Sequence, residues 1–153
     1  MYAVPQILTR NADDFLRTAN QLKEYGYQEV NLNLGCPSKT VVTKGCGAGF
    51  LARPDELEQF LDRIYSKTDM KISVKTRLGM ENAEEFPRLM EIYNRFPMEE
   101  LIIHPRVQKD FTKILRIWRH LVKHLPSVRT LYVINGDIFR QMILKESMLN
   151  FRM

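Results

Sequence analysis

Cys36 stands between Gly35 and Pro37, directly after a stretch in which Val30, Leu32 and Leu34 alternate with Asn31 and Asn33. The period of two is that of a pleated strand. Glycine breaks such a strand, and proline fixes the backbone one residue past the cysteine. The thiol is therefore expected on a rigid turn at a strand's end. Asparagine is a poor strand former, so two of them here point to a polar site or a special turn. A free cysteine can also be a small buried hydrophobe. Gly45, Gly47 and Gly49 read as a pliable loop before the next helix, and their spacing is not the dinucleotide fingerprint. The wider pattern favours chemistry. Gln6, Asn33, Lys75, His104 and Asn135 each lie in or just after the C-terminal half of a predicted strand. In a parallel sheet those ends share one face, where a (β/α) barrel builds its active site.

The elements that carry these residues follow from periodicity and punctuation. Strands are expected at 3–8, 28–34, 71–77, 101–104 and 130–134. Asn11 can cap a helix whose first turn holds Asp13 and Asp14, whose apolar stripe is Phe15, Ala19 and Leu22, and which Gly26 ends. Pro54 opens a second helix that buries Leu57, Phe60, Leu61 and Ile64. A third, over 82–95, buries Phe86, Leu89, Met90 and Tyr93, and tolerates Pro87 only in its first turn or at a kink. Ile114, Ile117, Trp118, Leu121 and Leu125 mark a fourth, stopped by Pro126, and 138–149 a last one. Five strands alternating with five helices is the pattern of a parallel α/β fold. A full barrel takes eight strands and about 250 residues. The expectation is an incomplete TIM-type (β/α) barrel of about five βα units of the eight, filling residues 1–153 as one domain.

Four motifs carry a resemblance to a known family. They are Asn-Leu-Asn-Leu-Gly-Cys-Pro-Ser-Lys at 31–39 with Gly-Ala-Gly-Phe-Leu at 47–51, Val-Lys-Thr-Arg-Leu-Gly at 74–79, Ile-His-Pro-Arg at 103–106, and Asn-Gly-Asp-Ile at 135–138. In order and spacing the chain closely resembles the flavin-dependent tRNA dihydrouridine synthases. That resemblance implies FMN as cofactor, NADPH as reductant and tRNA as partner. Reducing uracil across C5=C6 takes a hydride and a proton on adjacent carbons; the reduced flavin supplies the first, and a side-chain acid must supply the second. The resemblance gives Cys36 that catalytic role, which needs a neutral thiol. It makes Gln6, Lys75, His104 and the turn Asn135, Gly136, Asp137 the cofactor-binding set, with Lys75 stabilising negative charge at the flavin N1/O2 edge. Arg77 and Arg106 match positions near the substrate RNA, a surface salt bridge being the other reading of each. Asn33 can hydrogen-bond the pyrimidine edge or a flavin carbonyl. The resemblance also implies that the first barrel strand, the last strands with their phosphate site, and a helical tRNA-binding domain belong to the family protein but not to this stretch, which by itself is expected to be inactive.

Composition excludes several classes. The 153 residues are 44% hydrophobic and 27% charged, an ordinary globular balance. No apolar run approaches the roughly 20 residues of a membrane span, and no secretory leader is visible at the start. Two cysteines make no disulfide framework, so a reducing, cytoplasmic setting is expected. A net charge of +5 suits an anionic partner and simple solubility about equally. Arg116, Arg119 and Lys123 share a helix face that reads as solvated before it reads as a phosphate stripe. Metal binding is not expected: His120 and His124 lack an intervening glutamate and a third ligand.

The family pattern is not matched throughout. Residues 110–113, Asp-Phe-Thr-Lys, keep an aromatic and lack a glycine, and Cys46 stands where a small or basic residue is expected. Oxidation could join Cys46 to Cys36 and disable the proton donor. Two alternatives stay open: another FMN barrel such as a dihydroorotate dehydrogenase, or a catalytically inert remnant. A barrel sector leaves two strand edges bare. Self-association in sedimentation experiments is the expected outcome, and a stable monomer would count against the missing strands.

Overall fold

The computed structural model describes residues 3–109 and 130–135. In chain order they form β1 (Gln6–Ile7), α1 (Ala12–Glu24), β2 (Glu29–Leu34), a one-turn α2 (Lys39–Val42), a 3-10 turn (Gly47–Ala52), α3 (Pro54–Lys67), β3 (Lys71–Gly79), a second 3-10 turn (Ala83–Glu85), α4 (Phe86–Tyr93), β4 (Leu101–Val107) and β5 (Tyr132–Ile134). The strands make one parallel sheet in the order β1-β2-β3-β4-β5. Parallel neighbours need crossovers, and α1, α3 and α4 supply the first three. An open parallel sheet laid down in sequence order is compatible with a sector of a (β/α) barrel, as expected. The helices expected around 113–125 and 138–149 lie outside the described residues.

The helices begin where their caps put them. The Asn11 side-chain oxygen accepts the N–H groups of Asp13 (2.9 Å) and Asp14 (3.1 Å), satisfying two donors that the first turn would leave open. Pro54 and Pro87 both sit in first turns, where a missing N–H costs nothing. Ahead of α4, the Glu85 carboxylate accepts N–H groups from Met80, Glu81 and Asn82, which pins the loop leaving β3.

The two faces of the sheet differ in kind. Val30, Leu32 and Leu34 of β2, Ile72, Val74 and Thr76 of β3, and Leu101 and Ile103 of β4 are all buried on the helix-covered face. Phe15 of α1 meets Phe60 of α3 edge-on at 5.9 Å, and Phe60 meets Phe50 of the 3-10 turn at 5.4 Å. The opposite face carries Gln6, Asn31, Asn33, Ser73, Lys75, Arg77 and His104, paired across strands by the register. It has no helix cover among the described residues.

Two expectations need correction. The fourth strand does not stop at His104 but runs to Val107, and β3 runs on to Gly79. Arg77 pairs with His104 and Gly79 with Val107, so two steps on β3 face three on β4. The extra residue falls in the Pro105 region, where proline cannot donate to the ladder, and a bulge absorbs it. The glycine segment after Cys36, in turn, is packed, not pliable. Gly47 has φ +56°, and a Cβ there would lie 2.8 Å from the Cys36 carbonyl oxygen and 2.9 Å from Val41 Cγ1. Ala48 N–H donates to that same Cys36 carbonyl at 3.0 Å. Glycine is present so that the chain can close on the cysteine.

Gly47→Ala should therefore lower stability by about 2 kcal/mol or more in denaturant unfolding, left-handed strain adding to a contact with backbone. Gly35→Ala, whose Cβ would come no closer to any neighbour than an ordinary 3.5 Å from the Lys75 carbonyl oxygen, should cost clearly less. Equal losses would show that the loop yields where it is described as tight.

Candidate active site

The cysteine turn is held by side chains from its own strand and the next. Asn33 Oδ1 accepts the N–H groups of Gly35 at 3.0 Å and Cys36 at 2.9 Å, an Asx turn that stops β2 by giving its backbone another acceptor. From β3, Arg77 Nε donates to the Gly35 carbonyl at 2.7 Å, and its NH1 to the Val107 carbonyl at 3.4 Å. Gln108 Nε2 reaches the Pro37 carbonyl at 3.4 Å. With Ala48 N–H on its own carbonyl, Cys36 is fixed from several directions while remaining half-buried. Cys46 is also free and half-buried, its thiol donating to the Lys44 carbonyl at 3.9 Å.

Beside the thiol lies a group of cations. Lys75 is the register partner of Asn33, and Arg77 that of His104. Burial lowers the Lys75 pKa, the Arg77 charge lowers it further, and Cys36 opposes them. Arg77 is lowered in the same way, by burial and then by Arg106, again opposed by Cys36. His104 lies below its usual value because of burial first, then the charges of Arg77, Lys75 and Arg106; a backbone hydrogen bond at Asn135 pulls the other way. The bulge in β4 keeps Arg106 within electrostatic reach of both His104 and Arg77. Four basic side chains and a thiol thus share the C-terminal end of the sheet. An electron-rich or anionic ligand suits this place, and neutral His104 can donate or accept a hydrogen bond there.

The amides complete the wall. Asn33 Nδ2 donates to Gln6 Oε1 at 2.7 Å, so β1 and β2 contribute a bonded pair. Asn135 ends β5, its N–H on the Ile103 carbonyl at 2.9 Å. The structure brings Gln6, Asn33, Cys36, Lys75, Arg77, His104, Arg106 and Asn135 to one end of one sheet; Gly136 and Asp137 lie outside the described residues. Arg77 shows a function that spacing did not suggest: it clamps the backbone on both sides of the site. Asn31 and Ser73 join the same face, and the poor strand propensity of asparagine is the sequence signal for Asn31. Among the described residues there is no cluster of three or more potential metal ligands, and no helix long and apolar enough to cross a membrane.

A flat heteroaromatic ring rich in acceptors, able to carry negative charge, fits what these residues offer. Asn33 and Gln6 each keep one amide hydrogen unspent, and Lys75 brings a half-buried ammonium group. Gln6, Asn33 and Lys75 thus present hydrogen-bond donors and a positive charge on one side of the sheet.

NMR titration should give His104 a midpoint below 6.5, its usual value, and Lys75→Met should move it upward without fully restoring it, since burial is the larger cause. The folded state then binds fewer protons than the unfolded one just below pH 6.5, so His104 contributes stability at higher pH that is lost as pH falls through its folded pKa. His104→Gln should flatten that acid limb. A midpoint at or above the usual value would contradict the description of its surroundings.

A family model described as Dihydrouridine synthase (Dus) matches residues 2–150. A Staphylococcus aureus protein named "Probable tRNA-dihydrouridine synthase" is 32% identical over 132 residues, 82% of this chain and 40% of that protein. The corresponding Staphylococcus epidermidis protein is 31% identical over the same shares, and Bacillus subtilis "Probable tRNA-dihydrouridine synthase 2" is 27% identical. The chain spans about 40% of the length of these relatives. With the family model covering nearly all of it, the chain belongs to the dihydrouridine synthase family.

Proposed function

We propose that this chain is the central part of the catalytic barrel of a tRNA-dihydrouridine synthase, an oxidoreductase that reduces uridine in tRNA to 5,6-dihydrouridine. The observation that carries the reading is Cys36, pinned by Asn33 and closed over by Gly47 beside Lys75, Arg77 and His104. The family match and the relatives' names favour this chemistry over that of a dihydroorotate dehydrogenase.

FMN, when bound, would supply hydride-transfer chemistry between NADPH and the uracil ring. Gln6, Lys75, His104 and Asn135 would hold it, together with Gly136 and Asp137. Lys75 would stabilise negative charge on the bound ring, and its partly desolvated setting makes that charge count for more than in water. The Cys36 thiol gives its proton to C5, so hydride and proton together saturate the C5=C6 bond. Asn33, through its one unspent N–H, donates to an acceptor oxygen on the pyrimidine or the flavin. Arg106 faces the RNA, and Arg77 positions the turn and supplies charge to the same anionic substrate. The fixed turn matters because a proton donor must be aimed at one carbon.

In the intact protein, Cys36→Ala should leave FMN binding and NADPH-dependent flavin reduction nearly unchanged and slow uridine reduction by about 10²–10⁴-fold, the usual contribution of a positioned acid. Lys75→Ala should instead weaken FMN binding or its reduction. An unaltered rate of dihydrouridine formation in Cys36→Ala would remove the thiol from the mechanism. A purified protein that is colourless and takes up no added FMN would favour an inert remnant.

A further inference from the structure

The amides of the site are joined in a single directed relay that ends in the protein interior. Its sense is set at the cysteine turn, because backbone N–H groups can only donate. Gly35 and Cys36 donate to Asn33 Oδ1 (3.0 and 2.9 Å), which turns the Asn33 NH2 group toward Gln6. Asn33 Nδ2 donates to Gln6 Oε1 at 2.7 Å, which turns the Gln6 NH2 group toward Asn31. Gln6 Nε2 donates to Asn31 Oδ1 at 2.7 Å, and Asn31 Nδ2 donates to Ser73 Oγ at 3.0 Å. No amide in the series can be flipped without setting donor against donor and acceptor against acceptor.

We propose that Asn31 is a positioning residue, which with Ser73 holds the Gln6 and Asn33 amides in one orientation so that each offers an N–H donor to the ligand. Asn31 is 5% exposed and Ser73 2% exposed, so both are out of a ligand's reach and act through Gln6. The consequence is exact in number for Asn33: both lone pairs of Oδ1 and one hydrogen of Nδ2 are spent, leaving one N–H. Gln6 likewise keeps one N–H. The pair therefore selects a ligand edge lined with acceptors, such as ring carbonyl oxygens. Buried amides in a satisfied chain are costly to rearrange, which makes the orientation a fixed property of the unliganded fold.

The proposal rests on the flavin reading for the ligand but not for the orientation, and the test separates the two. In the intact protein without flavin, the Gln6 side-chain amide resonances should lie away from free-amide values. Asn31→Leu should return them to those values, whereas Asn31→Asp should not, since a carboxylate accepts from both Gln6 Nε2 and the Ser73 hydroxyl. FMN affinity, read by quenching of flavin fluorescence, should fall roughly tenfold in Asn31→Leu, the scale of one misdirected hydrogen bond, and stay within about threefold in Asn31→Asp. Should Asn31→Leu not fold, Ser73→Ala shortens the relay by one bond, and about a threefold loss is expected. Unmoved Gln6 resonances in Asn31→Leu and Ser73→Ala, or an Asn31→Asp defect as large as that of Asn31→Leu, would overturn the proposal. Resonances that respond as described in a protein that binds no FMN would keep the relay and overturn the flavin reading.

Discussion

The side-chain oxygen of Asn33 takes the N–H groups of Gly35 and Cys36, and the rest of the site depends on that pair of bonds. They end β2, turn the chain, and set the direction in which the Cys36 side chain leaves it. The same atom fixes the Asn33 amide, and through it Gln6 on the neighbouring strand. Remove the asparagine and two backbone donors lose their partner at the place where the thiol must be aimed. The Gly35 carbonyl, held by Arg77 Nε at 2.7 Å, closes the other side of the turn. One peptide unit after another is thus restrained by side chains, which is why a loop can serve as a rigid mount.

The glycines after the turn work to the same end. Gly47 in its left-handed conformation and Gly49, whose Cβ would fall 2.6 Å from the Val42 carbonyl oxygen, let the 3-10 turn fold back against the cysteine. Phe50, from that turn, then packs edge-on against Phe60, which packs in turn on Phe15. The reactive turn is in this way connected to the aromatic core beneath the sheet.

The two faces of the sheet divide the energetic work. The covered face is apolar and supplies the burial that makes the domain fold. The opposite face gathers Lys75, Arg77 and His104 with Asn31 and Ser73, and such a collection of like charges opposes folding. Burial and mutual repulsion keep the pKa values of all three basic groups low. A site that disfavours its own charges is prepared for a ligand that brings the opposite one. The cost is met by the core on the other side.

Strand order and helix starts were legible in the sequence, because alternation, Asn11, Pro54 and Pro87 are local signals that tertiary contacts had no reason to override. So was the gathering of Gln6, Asn33, Cys36, Lys75, His104 and Asn135: residues at the C-terminal ends of parallel strands must meet, whatever the detail of packing. The bulge that carries β4 on to Val107 was not legible, since it reflects how two strands stay paired around Pro105. Nor was the tightness of the Gly47–Gly49 segment, because glycine is chosen both where a chain must flex and where it must touch. The function of Arg77 as a clamp, and the relay from Cys36 through Asn33, Gln6 and Asn31 to Ser73, belong to the tertiary structure alone. Their bonds between strands join residues 25 to 42 positions apart, and a hydrogen bond at that separation exists only once the strands have found their register.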